Sequence, residues 1–176
     1  EVVDAKPVVL PTCENSEQLS WNSSVKQKGL ETKWYEIDLA SIKQNDEHLQ
    51  LSFTNQSKNL VVVMGEILPT CNSKDTIPYI LPVQPGQTLS QVINYNLFAL
   101  LPHPEHFYVS AMVIPTTATS IMELKDIRSK DDILKMVPKD LEAIQAAEVE
   151  LVAKTYSALV DPAACNQATT IASGVK

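Results

Sequence analysis

"HLQLSFTNQSKNLVVVMGEI" (48–67) is the stretch that decides how this chain folds. In its first part Leu49, Leu51 and Phe53 fall on one side of a period of two, and Gln50, Ser52 and Thr54 on the other. Side chains alternate across an extended backbone, so this is a strand with one dry and one wet face. The later part is a β-branched run with Val61, Val63, Gly65 and Ile67 in one phase, and the glycine marks a bulge or a close backbone approach. Between them, Asn55–Asn59 is a polar turn segment.

The same period recurs on either side. "KWYEIDL" (33–39) sets Tyr35, Ile37 and Leu39 against Trp34, Glu36 and Asp38, and "HFYVSAMVI" (106–114) sets Phe107, Val109 and Ala111 against Tyr108 and Met112. Turn signals separate the runs: the segment 69–78, bounded by prolines, and "VQPGQT" (83–88), where Pro85-Gly86 is a turn former. Short, half-buried strands at this spacing predict an antiparallel β-sandwich, and with its N-terminal lead-in this module spans 1–116.

Beyond it the character changes. "SKDDILKM" (129–136) has a capping-box-like start at Ser129 with Asp132 three residues on. "PKDLEAIQAAEVELVAKTYSALVD" (138–161) places Pro138 at a first helical position, with early acids and many helix formers. Leu141, Ile144, Ala147, Leu151, Tyr156 and Leu159 approximate one helical face, which predicts a helical appendage over 117–162. The stretch "VELVAKTYSALV" (149–160) also reads as strand, so 138–160 is either one helix or partly strand.

Composition narrows the function classes. The chain has 176 residues, 44% hydrophobic and 20% charged, enough for a packed core. Its net charge of -7, without any local concentration of Lys or Arg, disfavours nucleic acid as a partner. No run reaches the roughly 18 apolar residues of a membrane span. Four glycines leave no material for a phosphate loop or dinucleotide fingerprint, and no G-x-S-x-G elbow is present. His103, Glu105 and His106 in "HPEH" are the one cluster of metal-type ligands, but Pro102 and Pro104 make it a loop, and His48 lies on another strand. Structural zinc needs four well-spaced ligands, so these read as surface histidines. The expectation is a non-enzyme without metal or cofactor.

The two ends of the chain echo each other. "TCENSEQLSWNSSVK" (12–26) and "ACNQATTIASGVK" (164–176) each open on Cys and an early Asn, carry Leu19 or Ile171, and close on Val-Lys. Read as a repeat, residues 163–176 begin a following unit of a longer tandem protein. In that reading Cys13 and Cys71 form a disulfide, worth about 3–4 kcal/mol through the unfolded state, and Cys165 pairs further on. Asn22 and Asn55 occupy N-x-S sequons, which matter only in a eukaryotic secretory setting.

"GLETKWYEIDL" (29–39), "LQLSFTNQS" (49–57), the strand leading to Cys71, "PVQPGQTLSQ" (82–91) and "HFYVSAMV" (106–113) together resemble a recurrent extracellular module. The chain is similar over residues 12–115 to β-sandwich repeats of secreted and surface Bacteroidetes proteins, akin to the bacterial pre-peptidase C-terminal domain. That resemblance implies a jelly-roll-like sandwich, secreted or at the cell surface, without catalytic residues of its own. Its implied role is adhesion, spacing, or binding of a glycan or extracellular protein beside neighbouring domains of the same chain. An alternative is an ancillary domain that helps a secreted hydrolase fold or engage substrate. Some members bind calcium, but Asp38, Asp46, Glu47 and Asp75 are scattered here without a calcium loop. Flat apolar rings suit pyranose faces, which makes Trp34, Trp21 and Tyr79 the candidate binding residues; the competing role for each is core packing.

Overall fold

The computed structural model describes residues 15–20, 22–38, 48–71, 74–94 and 106–156. Among these residues nine strands follow in order: β1 (Glu17–Leu19), β2 (Ser24–Lys28), β3 (Thr32–Asp38), β4 (His48–Asn55), β5 (Val61–Leu68), β6 (Ile77–Val83), β7 (Thr88–Asn94), β8 (His106–Pro115) and β9 (Glu148–Tyr156). A 3-10 turn (Ile121–Leu124) and two short helices, α1 (Lys130–Leu134) and α2 (Leu141–Ala146), lie between β8 and β9. The fold is mainly β. One sheet has the order β1-β3-β8-β5-β6, the other β2-β9-β4-β7, and among the described residues only β1 and β3 pair in parallel.

The alternating residues do what their period demands. Leu49, Leu51 and Phe53 are buried, as are Val61, Val63 and Ile67, Phe107, Val109 and Ala111, and Tyr35 and Ile37. All belong to one cluster fed by both sheets, and Phe53 of β4 stacks on Tyr79 of β6 with ring centroids 5.6 Å apart. Each such side chain contributes about 1.5–3 kcal/mol on leaving water. The two sheets therefore close on each other in the manner of a sandwich. At Pro85-Gly86, Gly86 takes φ 77° and the Gln87 N–H donates to the Gln84 carbonyl at 2.9 Å. Proline second and a positive-φ glycine third match a type II turn.

Of the two readings open for 138–160, the partly strand one holds and the single helix is corrected. Among the described residues of that stretch only Leu141–Ala146 is helical, capped by Asp140, whose carboxylate accepts from the Glu142 N–H, so Pro138 is not the first helical residue. Glu148–Tyr156 is β9, hydrogen-bonded to β2 on one side and β4 on the other. Val149, Leu151 and Ala153 enter the main core while Glu148, Val152 and Lys154 are less buried. Helix propensity of Ala, Glu and Lys is a weak prior, and two waiting ladders plus a dry face override it. Because β9 is a central strand between two strands from 1–116, the tail is not an appendage to a finished sandwich. Residues 157–160 lie outside the described residues, as do 1–14 and the echo at 163–176.

The β8–β9 crossover covers part of the first sheet. Leu60, Val62, Ile114, Ala118 and Ile133 form a second buried cluster, flanked by Met64, Met112, Leu124, Ile127, Met136 and Val137. Ser129 caps α1 as its spacing predicts, its hydroxyl accepting from the Asp132 N–H at 3.3 Å.

Candidate functional site

Among the described residues, the outer face of the β1-β3-β8-β5-β6 sheet carries an organised strip of polar and aromatic side chains. Register pairs Thr32 with Met112, Trp34 with Ser110, Glu36 with Tyr108 and Asp38 with His106 across β3 and β8. On the far side Met64 pairs with both Met112 and Ile80, and Glu66 with Pro78. Residues of one cross-strand pair project to the same face. Trp34, Glu36 and Tyr108 therefore share one outward surface, and all three are half-buried.

Glu36 is the hub. Tyr108 donates its hydroxyl to Glu36 Oε2 at 2.8 Å, the Gln18 amide donates to Oε1, and His106 Nε2 lies 3.9 Å from Oε2. The His106 ring meets Tyr108 edge-on at 5.4 Å. The Gln18 and Tyr108 hydrogen bonds hold the Glu36 carboxyl below its ordinary range, while partial burial and the bond to Glu36 push the Tyr108 hydroxyl up. A carboxylate has about four acceptor positions, so two donors leave room for a ligand hydroxyl. Because the folded value lies below the unfolded one, Glu36 stabilises the fold above the unfolded carboxyl range and loses that contribution as pH falls through the folded value. Glu36→Gln should thus reduce the acid-induced loss of stability between pH 5 and pH 3 by about 0.5 kcal/mol. Urea unfolding at both pH values reads this; an unchanged difference would remove Glu36 as an acid-sensitive contact.

Beside this strip runs a trough of about 490 Å³, lined by Thr32, Met64, Gly65, Glu66, Pro78, Tyr79, Ile80, Ser110, Met112 and Lys130. Its floor and far wall are mainly apolar, with Glu66 and Lys130 as the charged side chains. The crossover gives it one end, since Lys130 opens α1. Trp34 does not line it, but shares its sheet face, paired with the lining Ser110 and two residues along β3 from the lining Thr32. A second cavity, of about 410 Å³, lies between the Gln56–Asn59 turn and α2. Alanines and turn residues line it, without an aromatic ring or a carboxylate.

Of the sequence candidates, Trp34 is where the alternation put it, facing outward beside the trough. Tyr79 is corrected: it is 4% exposed, its ring is in the core, and its hydroxyl donates to the Ser110 carbonyl at 2.8 Å. It touches the trough only from beneath, at Gly65. Tyr79 shares its face of β6 with Leu81 and Val83, the same period that buries them. Trp21 lies outside the described residues. So do Cys13 and Cys165; Cys71, half-buried after β5, is a half-cystine and not a free thiol. His103 and Glu105 also lie outside, and no group of three or more metal-type ligands occurs among the described residues. Asn55 is fully buried, its amide donating to the carbonyls of Asn59 and Val83 and accepting from the Ser57 N–H, so in the folded protein its sequon is sealed. Asn22 is exposed in a turn with φ 63°. The sequence reading placed Glu36 and Tyr108 on outward positions, counted Tyr108 among the rings that could stack on a sugar, and missed Gln18, Glu66 and Lys130, because only the tertiary fold brings them together.

No protein-family model matches this chain, and no curated protein matches it. Among the described residues no helix is long and apolar enough to cross a membrane.

Proposed function

We propose that this chain is a non-catalytic, extracytoplasmic β-sandwich module that binds a glycan on the outer face of β3 and β8. Its place is with the jelly-roll-like repeat modules similar to the pre-peptidase C-terminal domain, beside other domains of a longer secreted or surface protein. The observation that carries the binding reading is a half-buried Trp34 on the same sheet face as an open trough and a carboxylate already ordered by two donors. A flat ring suits the apolar face of a pyranose, and a carboxylate held ionised accepts its hydroxyls. The Cys13–Cys71 cystine belongs to the same proposal, and a non-reducing peptide map reads it directly.

Immobilised glycans test the binding reading. The protein should retain a subset of neutral glycans, and Trp34→Ala should weaken that retention by at least tenfold while leaving the unfolding midpoint within about 1 kcal/mol of the parent, as expected for a surface change. Absence of retention by any glycan, or retention unchanged in Trp34→Ala, would defeat it. A spacing or protein-adhesion role would then be the reading left.

A further inference from the structure

We propose that the trough beside Trp34 is a subsite for the N-acyl group of an amino sugar, so that the ligand class is glycans bearing N-acetylhexosamine. This rests on the glycan-binding reading of the same face and adds what that reading leaves open, the substituent that the ligand carries.

Three neighbouring features differ in chemistry and match three parts of one such sugar. Trp34 offers a ring for the pyranose face. Glu36, held by Gln18 and Tyr108, is an ionised acceptor two residues along β3. Two residues the other way, Thr32 opens the trough, whose apolar part is Met64, Met112, Pro78 and Ile80. Along a strand two residues span roughly 7 Å, so ring, acceptor and cavity lie within one or two sugar units of each other. A sugar with only hydroxyls puts polar groups against a methionine floor, and each buried hydroxyl without a partner is costly. An acyl methyl fits that floor, and methionine side chains adapt to it. The acyl carbonyl then needs a donor, and Lys130 at the crossover end of the trough supplies an ammonium group.

Charge supports a neutral occupant. Glu36, Glu66 and Asp38 carry negative charge on this face, with Lys130 on the trough opposing them, while Lys33 faces Glu17 at 3.8 Å. An acidic glycan, uronic or sulfated, meets net repulsion here. A neutral N-acylated sugar meets hydroxyl acceptors and an apolar recess instead.

Calorimetric titration of the whole chain with matched oligosaccharides tests this. The probes are β-linked N-acetylglucosamine and glucose tetramers, together with N-acetylgalactosamine and galactose glycosides. The acylated member of at least one pair should bind at least tenfold more tightly than its partner, in line with the discrimination that a small apolar group in a pocket achieves. Thr32→Trp, which fills the trough from its exposed edge, should abolish that ratio, and Ile80→Arg on the opposite wall should do the same. Trp34→Ala should weaken both members of the pair. Equal binding of acylated and non-acylated sugars that still depends on Trp34 overturns the subsite and leaves the glycan reading standing. A preference that survives both Thr32→Trp and Ile80→Arg also overturns it. No binding of any probe removes the subsite together with the glycan reading.

Discussion

Replacing Gly65 with alanine should leave little folded protein. A Cβ built there falls 1.8 Å from the Ser110 carbonyl oxygen and 2.6 Å from its carbon. Both are backbone atoms of β8, a strand held on either side by β3 and β5. No rotamer change relieves such a clash; β5 and β8 must separate. The gap is already in use. The ladder is interrupted between the Met64–Met112 and Ile67–Val109 rungs, where the Ser110 hydroxyl accepts from the Glu66 N–H at 2.9 Å and Tyr79 donates to the Ser110 carbonyl. Parting the strands breaks these bonds and exposes core that a domain with about 5–15 kcal/mol of stability cannot spare. The expected loss is about 4 kcal/mol or more, the far end of the range for single substitutions. Gly86→Ala is the informative contrast. Gly86 has φ +77° and nothing within 4 Å of its Cβ position, so alanine there meets only the left-handed backbone penalty, about 1–2 kcal/mol. Soluble yield and urea midpoints of both variants decide the matter. A Gly65→Ala protein at least as stable as Gly86→Ala would show that the strands can part cheaply, contrary to the packing described.

Gln27→Leu should cost about 3 kcal/mol despite nearly conserving volume. Gln27 sits on β2, in the second sheet, and is 2% exposed. Its amide donates to the Ala111 carbonyl of β8 and to the Glu31 carbonyl, both at 2.6 Å, and its oxygen accepts from the Tyr35 hydroxyl of β3 at 2.8 Å. One side chain thus ties the two sheets through three polar groups inside an apolar core. Leucine leaves the fully buried Tyr35 hydroxyl without this acceptor and two carbonyls without this donor, and an unsatisfied buried group costs its whole desolvation. Burial already pushes the Tyr35 hydroxyl well above its usual range, so ionisation offers no relief near neutral pH. Tyr35→Phe should cost less, about 1–2 kcal/mol, because only the Gln27 oxygen loses its partner. The double variant should be less destabilised than the sum of the singles by about 1 kcal/mol, since it removes donor and acceptor together. Strict additivity in a denaturant-based cycle would mean that the Tyr35–Gln27 bond contributes nothing.

Much of the candidate site was legible as direction and almost none as assembly. Alternation in "KWYEIDL" sends Trp34 and Glu36 outward and Tyr35 inward, and alternation in "HFYVSAMV" sends Tyr108 outward. That the Tyr108 hydroxyl then reaches Glu36 depends on two strands 72 residues apart meeting in one register. A slip of one residue would turn Tyr108 into the core and Phe107 onto the surface. For Tyr79 the ring alone does not separate a sugar platform from core packing; the phase of β6 decides for the core, with Pro78 and Pro82 on the outward phase of an edge strand, where a missing N–H is tolerated. Lys130 reaches the trough only because the crossover folds back over Met64 and Met112.

By itself, the sequence determined the strands within 33–38, 48–54, 61–67 and 106–114, the described residues that face the core from them, the Pro85-Gly86 turn and the Ser129 cap, while Leu39 lies outside the described residues. These follow from backbone periods and local hydrogen bonds, which act over a few residues and need no partner. The tertiary structure alone decided that Glu148–Tyr156 is a central strand, that Gln27 bridges the sheets, and that a ring, a carboxylate and a recess share one face. Those outcomes depend on which distant segments pair. Pairing is set by closing long loops against the burial of a common core, and neither quantity is contained in any window of the chain.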